Sequence, residues 1–177
     1  MNPTSLQSQY RLLEQSRWEF LEAGHKCSVL TIPSVQPREN MSRTELPHNF
    51  QSVGARGVNN LSSKLMLSLF PPTLPFMRLE MSPAAKAEIV AESGEESAKV
   101  VSEIEASLQL LEQQALSEFD TEGWRPALAE AMRLLVVTGN ALLYDRPGGK
   151  APVTADLRHY VVDRDPDNRL RAVILRQ

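Results

Sequence analysis

The segment NFQSVGARGVNNLSSKLMLSLF, from Asn49 to Phe70, combines a regular apolar stripe with many small residues. Its large apolar residues recur at helical steps and form one face: Val58, Leu61, Leu65 and Leu69. Its small residues let a neighbouring backbone come close, although a helical glycine costs about 1 kcal/mol: Gly54, Ala55, Gly57, Ser62 and Ser63. Pro71 and Pro72 then end the helix. The segment therefore predicts a helix that is buried against other elements and carries no reaction.

The N-terminal part of the chain predicts one helix, a short strand and a loop. Apolar residues at helical spacing favour a helix from about Leu6 to Ala23, which Gly24 ends. The run from Ser28 to Ile32 is rich in β-forming residues and stops at Pro33. From Ser34 to His48 the composition is polar and includes two prolines, which indicates an extended connection.

After the small-residue helix, the sequence predicts a strand and two further helices. Met77 to Met81 follows the two-residue period of a strand. Ser82 and Pro83 are typical of a helix start, and Gly94 interrupts or kinks the helix that follows. Beyond it lies the clearest amphipathic stripe of the chain: Val100 or Val101, Ile104, Leu108, Leu111, Ala115 and Phe119.

The last third of the chain changes from helical to β-rich sequence. Asp120 to Gly123 reads as a turn, and the run from Pro126 to Thr138 is apolar on several faces, which predicts a central helix. After Gly139, short β-rich runs are separated by PGGK and DPDN turns. The predicted fold class is therefore α+β: several amphipathic helices followed by a small antiparallel β-meander.

The composition is that of a soluble globular protein, with 42% hydrophobic and 23% charged residues in a chain of 177. No apolar run approaches the roughly 18 residues of a membrane span, and the N-terminus lacks the features of a signal peptide. Cys27 is the sole cysteine, which excludes an internal disulfide and fits a reducing cytoplasm. The scattered His25, His48 and His159 do not supply a zinc site.

Several motifs resemble ligand sites but are better explained by structure. Asp163 to Asn168 alternates acids like the start of a calcium loop, yet Asn168 replaces the loop glycine and Ile174 the bidentate acid. The segment therefore predicts a hairpin turn. The sequons at Asn40 and Asn60 are chance matches, because the chain shows no secretory signal.

The glycines of the small-residue helix do not have P-loop spacing relative to Lys64, so helix packing explains them better than phosphate binding. Arg56 and Lys64 are candidates for contact with a neighbouring subunit or DNA. A set of glutamates predicts a solvated helix face rather than an acid–base pair: Glu92, Glu95, Glu96, Glu103, Glu105 and Glu112.

His25 and Cys27 are two residues apart at a predicted helix-to-strand transition, where they need not face each other. Trp18 and Trp124 are predicted as core or interface anchors rather than platforms for base stacking. The sequence thus nominates no catalytic, cofactor-binding or metal-binding residue.

Four segments carry a resemblance to a known family. VGARGVNNLSSKLMLSLFPP resembles the signature segment of portal proteins, the head-to-tail connectors of short-tailed, podovirus-type bacteriophages. Three further segments resemble the same family in the same order: CSVLTIPSV at Cys27 to Val35, VVTGNALLY at Val136 to Tyr144 and HYVVDRDPDNRLRAVILR at His159 to Arg176. Four ordered matches over most of the chain are more specific than any single short motif.

The resemblance implies a structural virion protein without enzymatic activity. Family members form a ring, a dodecamer, at one capsid vertex, through which double-stranded DNA is packaged and ejected. The implied partners are further copies of the chain, the major capsid and scaffold proteins, the terminase motor, the tail proteins and the DNA, with no cofactor and no membrane. The implied location is the portal vertex of the virion, and the host cytoplasm during assembly.

Family members are also longer, and they continue through clip, stem and crown regions. Residues 1–177 are therefore expected to be the N-terminal, wing-like portion of such a protein, and RAVILRQ, a strand with no turn after it, agrees with this. The net charge of −3 is the wrong sign for gripping phosphates but suits a channel in which a duplex slides.

Two alternatives stay open at this stage. One is a small cytoplasmic α+β enzyme or ligand-binding domain, which requires a pocket with convergent polar groups. The other is an inactive prophage remnant, the product of a truncated portal gene.

Overall fold

The computed structural model describes residues 3–38, 41, 45–47, 51–93, 97–148 and 150–176. Its helices are α1 Pro3–Ser16, α2 Trp18–Leu30, α3 Val53–Leu69, α4 Pro83–Ser93, α5 Ser97–Thr121 and α6 Trp124–Thr138. Its strands are β1 Leu142–Arg146, β2 Lys150–Ala155, β3 Tyr160–Arg164 and β4 Leu170–Leu175. The strands form two antiparallel hairpins, β1–β2 and β3–β4. The α+β class is confirmed, but the single meander is wrong, because β2 and β3 do not pair.

The helix α6 lies at the centre, as its apolar sequence predicted. It packs against α2, α3 and α5 on its helical side and against β1 and β2 on the other. Its buried face consists of Ala127, Ala131, Leu134, Val137 and Thr138. Gly123 and Gly139 flank it, and both adopt the left-handed conformation, with φ of 81° and 78°. The helix α5 runs on to Thr121, so the predicted turn is reduced to the residues just before α6.

The predicted end of the first helix at Gly24 is wrong, and so is the strand from Ser28 to Ile32. The helical stretch breaks at Arg17 instead, and α2 then continues through Gly24 to Leu30. The glycine is there for packing: a Cβ at Gly24 would lie 2.6 Å from Oε1 of Gln36, a fully buried side chain. The long-range contact with Gln36 therefore requires a glycine at position 24, although the local sequence alone indicates that the helix ends there.

The helix α3 and its proline stop are confirmed, although Asn49 and the next residue lie outside the described residues. Its buried face differs from the predicted stripe, since Val58 and Ser62 are buried whereas Leu61 and Leu69 are exposed. The expected close approach occurs at Gly54, where a Cβ would lie 2.6 Å from the Leu30 carbonyl oxygen. A Cβ at Gly57 would meet no atom within 4 Å among the described residues outside its own helix, so the expected close packing does not occur at Gly57 within this part of the chain.

No strand forms from Met77 to Met81. A strand needs a neighbour to complete its hydrogen bonds, and this segment instead lies along α5, where the Leu79 N–H donates to Oε2 of Glu112 at 3.1 Å. The helix start after it is confirmed, because Oγ of Ser82 accepts the Ala85 N–H at 3.2 Å. The predicted interruption at Gly94 falls outside the described residues.

The stripe of α5 is only half-buried. Val101, Ile104, Leu108 and Phe119 are shielded in part, while Leu111 is exposed, and no described residue of this 25-residue helix is fully buried. Among the described elements, only α4 and α6 make extensive contacts with α5.

Arg17, the residue between α1 and α2, joins the N-terminal helices to the β-hairpins. Its guanidinium donates to the carbonyl oxygens of Leu157 and Tyr160, and it lies 5.5 Å from the centre of the Tyr160 ring. Leu157 lies in the connection between β2 and β3, and Tyr160 is the first residue of β3, so Arg17 anchors the N-terminal helices to this part of the chain. Burial raises the pKa of Tyr160, and the nearby Arg17 guanidinium works against that rise.

We predict opposite effects for two glycines of α3. Gly54→Ala forces a Cβ against the backbone of Leu30 and Thr31 and should lower the free energy of unfolding by roughly 1–3 kcal/mol. Gly57→Ala meets open space and should raise it by about 0.5–1 kcal/mol through helix propensity. Urea unfolding followed by circular dichroism measures both, and a shift of the same sign in the two variants contradicts the close approach at Gly54.

We also predict that Arg17→Met destabilises the chain by about 2–3 kcal/mol, because two part-buried carbonyls lose a charged donor. The matched control is Arg11→Met on the exposed surface of α1, which should change stability by no more than about 0.5 kcal/mol. Equal effects of the two substitutions in thermal unfolding would show that Arg17 is not a junction.

Candidate assembly surface

A buried polar cluster fixes the segment that follows α2. Oγ of Ser28 accepts the Gln36 N–H at 3.1 Å and donates to the Ile32 carbonyl at 2.8 Å. Nε2 of Gln36 donates to the Leu21 carbonyl at 3.3 Å, and Nδ1 of His25 lies 3.0 Å from the Gln36 carbonyl oxygen. All three side chains are buried, so the chain reverses here around hydrogen bonds rather than around a β-strand.

This cluster shows where His25 and Cys27 lie relative to each other. The ring of His25 is buried against Gln36, whereas Cys27 is a free thiol on the exposed side of α2. The two side chains therefore point to different sides of one helix, and the arrangement offers no thiol–imidazole pair.

The hairpin turn at the DRDPDN segment is confirmed. Oδ1 of Asp165 accepts the Arg169 N–H at 2.7 Å, and the Asp165 carbonyl accepts the Asn168 N–H at 2.9 Å. Asn168 adopts a positive φ of 64°, which asparagine tolerates better than most residues. Asp165, one of the alternating acids of the calcium-loop pattern, thus closes the turn between β3 and β4.

The remaining polar candidates lie on the surface. Arg56, Asn60 and Lys64 are exposed on α3. Asn40 falls outside the described residues, as do Glu95, Glu96 and the side chain of Glu92. Within the described part of the chain, no group of three histidine, cysteine, aspartate or glutamate residues is arranged to hold a metal ion.

The described glutamates of α5 form no carboxylate pair. Glu103 is exposed, and Oε1 of Glu105 accepts from Nζ of Lys86 at 2.5 Å, a contact that raises the pKa of Lys86. Glu112 accepts the Leu79 N–H, as described above. The solvated face is confirmed for Glu103 and Glu105, while Glu112 anchors the segment before α4.

The two tryptophans have different environments. Trp124 stacks on Phe119 with the rings 6.0 Å apart and 11° from parallel, and Phe70 and Phe76 complete this aromatic cluster. The predicted role as a packing anchor is confirmed for Trp124. Trp18 is 59% exposed, so it is not a core residue of this chain.

Arg125 contacts the aromatic cluster, and the sequence analysis did not nominate this residue. Its Nε donates to Oδ1 of Asp120 at 2.5 Å, and its Nη1 donates to the Phe70 carbonyl at 2.7 Å. The guanidinium also lies 5.8 Å from the centre of the Phe119 ring. Arg125 thereby connects the end of α3, the end of α5 and the start of α6.

The chain leaves an unusually large surface uncovered. Its accessible area is 12,775 Å², whereas a compact monomer of 19.8 kDa exposes about 8,600 Å². Each of the six helices carries at least one exposed large apolar side chain, among them Leu12, Leu30, Leu67, Val90, Leu110 and Leu135.

An open groove of about 780 Å³ lies between α6, the segment after α2 and the two hairpins. Apolar side chains form part of its lining, among them Leu134, Tyr144 and Val153, and arginines line it at Arg133 and Arg146. The groove is open to solvent rather than enclosed. It has the form of a docking surface rather than of an active-site pocket.

Comparison with known proteins identifies the family. A family model described as bacteriophage head to tail connecting protein matches residues 4–177. The chain belongs to this family. The resemblance that the four sequence segments carry is thereby confirmed.

The connector chain is also similar to individual portal proteins. It is 38% identical over 168 residues to the portal protein of Pseudomonas phage phiKMV, covering 90% of this chain and 32% of the relative. It is 32% identical to the portal protein of Enterobacteria phage T3 over 94% of this chain and 31% of the relative. It is 32% identical to the portal protein of Escherichia phage T7 over 96% of this chain and 31% of the relative. The chain thus spans about a third of the length of these curated relatives.

In the described part of the connector chain, no helix is both long and apolar enough to cross a bilayer.

We predict a sharp contrast between two neighbouring residues of α2. Ser28→Ala removes the acceptor of the buried Gln36 N–H and should lower the free energy of unfolding by about 1–3 kcal/mol. Cys27→Ala lies on the exposed side and should change it by less than about 0.5 kcal/mol. Chemical denaturation measures both, and a larger loss at Cys27 contradicts the assignment of the buried cluster.

Proposed function

We propose that this chain is part of the subunit of a bacteriophage portal, a structural head-to-tail connector that assembles as a ring. The family match over residues 4–177 is the observation that carries the proposal. The uncovered apolar surface supports it, because a subunit of a large ring buries much of its surface only after assembly. We place the ring, a dodecamer, at one vertex of the capsid.

In this role the ring is a passage for double-stranded DNA during packaging and ejection. The terminase motor docks on it and hydrolyses ATP, so the connector itself acts without catalysis. The major capsid and scaffold proteins surround it during assembly in the host cytoplasm, and the tail proteins attach to it in the virion. The net charge of −3 suits a wall along which DNA slides, because each cationic contact with a phosphate would retain it.

We assign residues 1–177 to the N-terminal, wing-like portion of the subunit. The fraction of the curated relatives that the chain covers, 31–32%, leaves room for the clip, stem and crown regions outside it. The packing of α3 against α6 forms the centre of this portion.

The small-domain alternative is less well supported. An independent domain of 177 residues should approach the compact surface area of its mass, and this chain exposes about one and a half times that area. A ligand-binding domain should also enclose a pocket with convergent polar groups, whereas the groove beside α6 is open.

The test is negative-stain electron microscopy of the product of the natural, uninterrupted reading frame. We expect rings with a central channel wide enough for a DNA duplex. Imaging the 177-residue chain in parallel shows whether further residues are needed for the ring. Uniform small particles from the natural product, at concentrations where relatives form rings, would contradict the portal role and favour the prophage remnant.

A further inference from the structure

Charge is distributed unevenly along this chain. Residues 83–122, which comprise α4, α5 and their flanks, contain two lysines and ten acidic residues, a net charge of −8. The remaining residues contain 17 basic and 12 acidic residues, a net charge of +5. One chain therefore carries two regions of opposite sign, and copies of it attract each other only where unlike regions meet.

The acidic region presents one face of α5 that the chain does not cover. Leu110 is 68% exposed and Leu111 is 53% exposed, in the middle of a helix about 37 Å long. Glu103 lies two turns before Leu110, and Glu118 lies two turns after Leu111, so each glutamate shares a side of the helix with one leucine. This face combines an apolar centre with a carboxylate at each end.

The groove beside α6 has the complementary chemistry. Its apolar lining includes Val153 and Tyr144, both partly exposed, and Arg133 and Arg146 lie at its sides. The guanidinium of Arg146 is held in place by two hydrogen bonds, which Nε and Nη2 donate to the Ala151 carbonyl oxygen at 3.0 and 2.9 Å.

The acidic groups of the groove do not cancel its arginines. Oδ1 of Asp156 lies 2.7 Å from Nδ1 of His159 and also accepts the Arg158 N–H at 2.9 Å, so that carboxylate is already engaged. Glu130 is the other acidic residue of the lining. Within the described residues, neither Arg133 nor Arg146 forms an ion pair with these or other acidic groups.

We propose that α5 of one copy docks in this groove of a second copy. Leu110 and Leu111 lie against the apolar lining, and Glu103 and Glu118 lie near the arginines. Two α5 faces would repel each other, so the contact joins unlike surfaces, a helix face and a groove. Arranged head-to-tail, as the ring of the proposed function requires, this contact closes by rotation. The inference rests on the proposed function and names the surfaces that would hold the ring.

Charge reversal with mixing tests the contact in the ring-forming product of the natural reading frame. The helix variant is Glu103→Arg with Glu118→Arg, and the groove variant is Arg133→Glu with Arg146→Glu. Each variant has one altered surface that repels its unaltered counterpart, so each alone should reduce the fraction of subunits in rings at least about tenfold by mass photometry.

An equimolar mixture of the two variants should restore ring formation to within about twofold of the wild type. In the mixture, the reversed helix of the helix variant docks in the reversed groove of the groove variant. The unaltered helix of the groove variant docks in the unaltered groove of the helix variant. A ring in which the two variants alternate therefore satisfies every contact. The matched control for the groove variant is Arg11→Glu with Lys26→Glu. It makes the same charge change as the groove variant, but at exposed positions of α1 and α2, and it should leave rings within about twofold of the wild type.

Because Arg146 also bonds the β1–β2 hairpin, Arg133→Glu alone is examined beside the double variant, with circular dichroism as a check on folding. Rings that survive both reversals contradict the docking contact and leave the portal role intact. Loss of rings in both variants without recovery in the mixture also contradicts it. Wild-type product that forms no rings contradicts the proposed function, and the docking contact falls with it.

Discussion

The guanidinium of Arg17 is the contact on which the rest of this fold depends. It interrupts the N-terminal helical stretch and donates to two carbonyls about 140 residues further along the chain, those of Leu157 and Tyr160. A charged donor shared by two carbonyls is stronger than a neutral hydrogen bond. The contact lies at the connection between β2 and β3, where the two separate hairpins meet, and Leu157 is part of the core beside Leu21.

Local signals in the sequence predicted the ends of elements correctly where local chemistry controls them. Pro71 and Pro72 stop α3, and Ser82 caps α4, because a missing N–H or a capping hydroxyl acts within one turn. Gly24 and the strand from Ser28 to Ile32 were wrong for the opposite reason. The burial of Gln36 decides both, and no local pattern reveals which distant side chain a glycine makes room for.

The periodicity of an apolar stripe likewise predicts a helix better than it predicts which face is buried. In α3 the face against α6 uses Val58 and Ser62, while Leu61 stays exposed, since the small side chains allow the closer approach. The candidate docking surfaces were out of reach of sequence reasoning for a related reason. Arg133 and Arg146 lie on different elements, α6 and β1, and only the packing of the hairpin on the helix brings them to one groove.

The weak packing of α5 connects the fold to assembly. Helices in proteins are stabilised mainly by tertiary packing of an apolar face, yet none of the described residues of α5 is fully buried. Its exposed ion pair between Lys86 and Glu105 contributes little in water, and the aromatic cluster around Phe119 supports one end alone. A partner that covers the middle of α5 would therefore supply packing that this chain lacks. Part of the binding free energy would be used in ordering the helix, which would lower the affinity of that contact and would leave the helix fully stable only in the bound state.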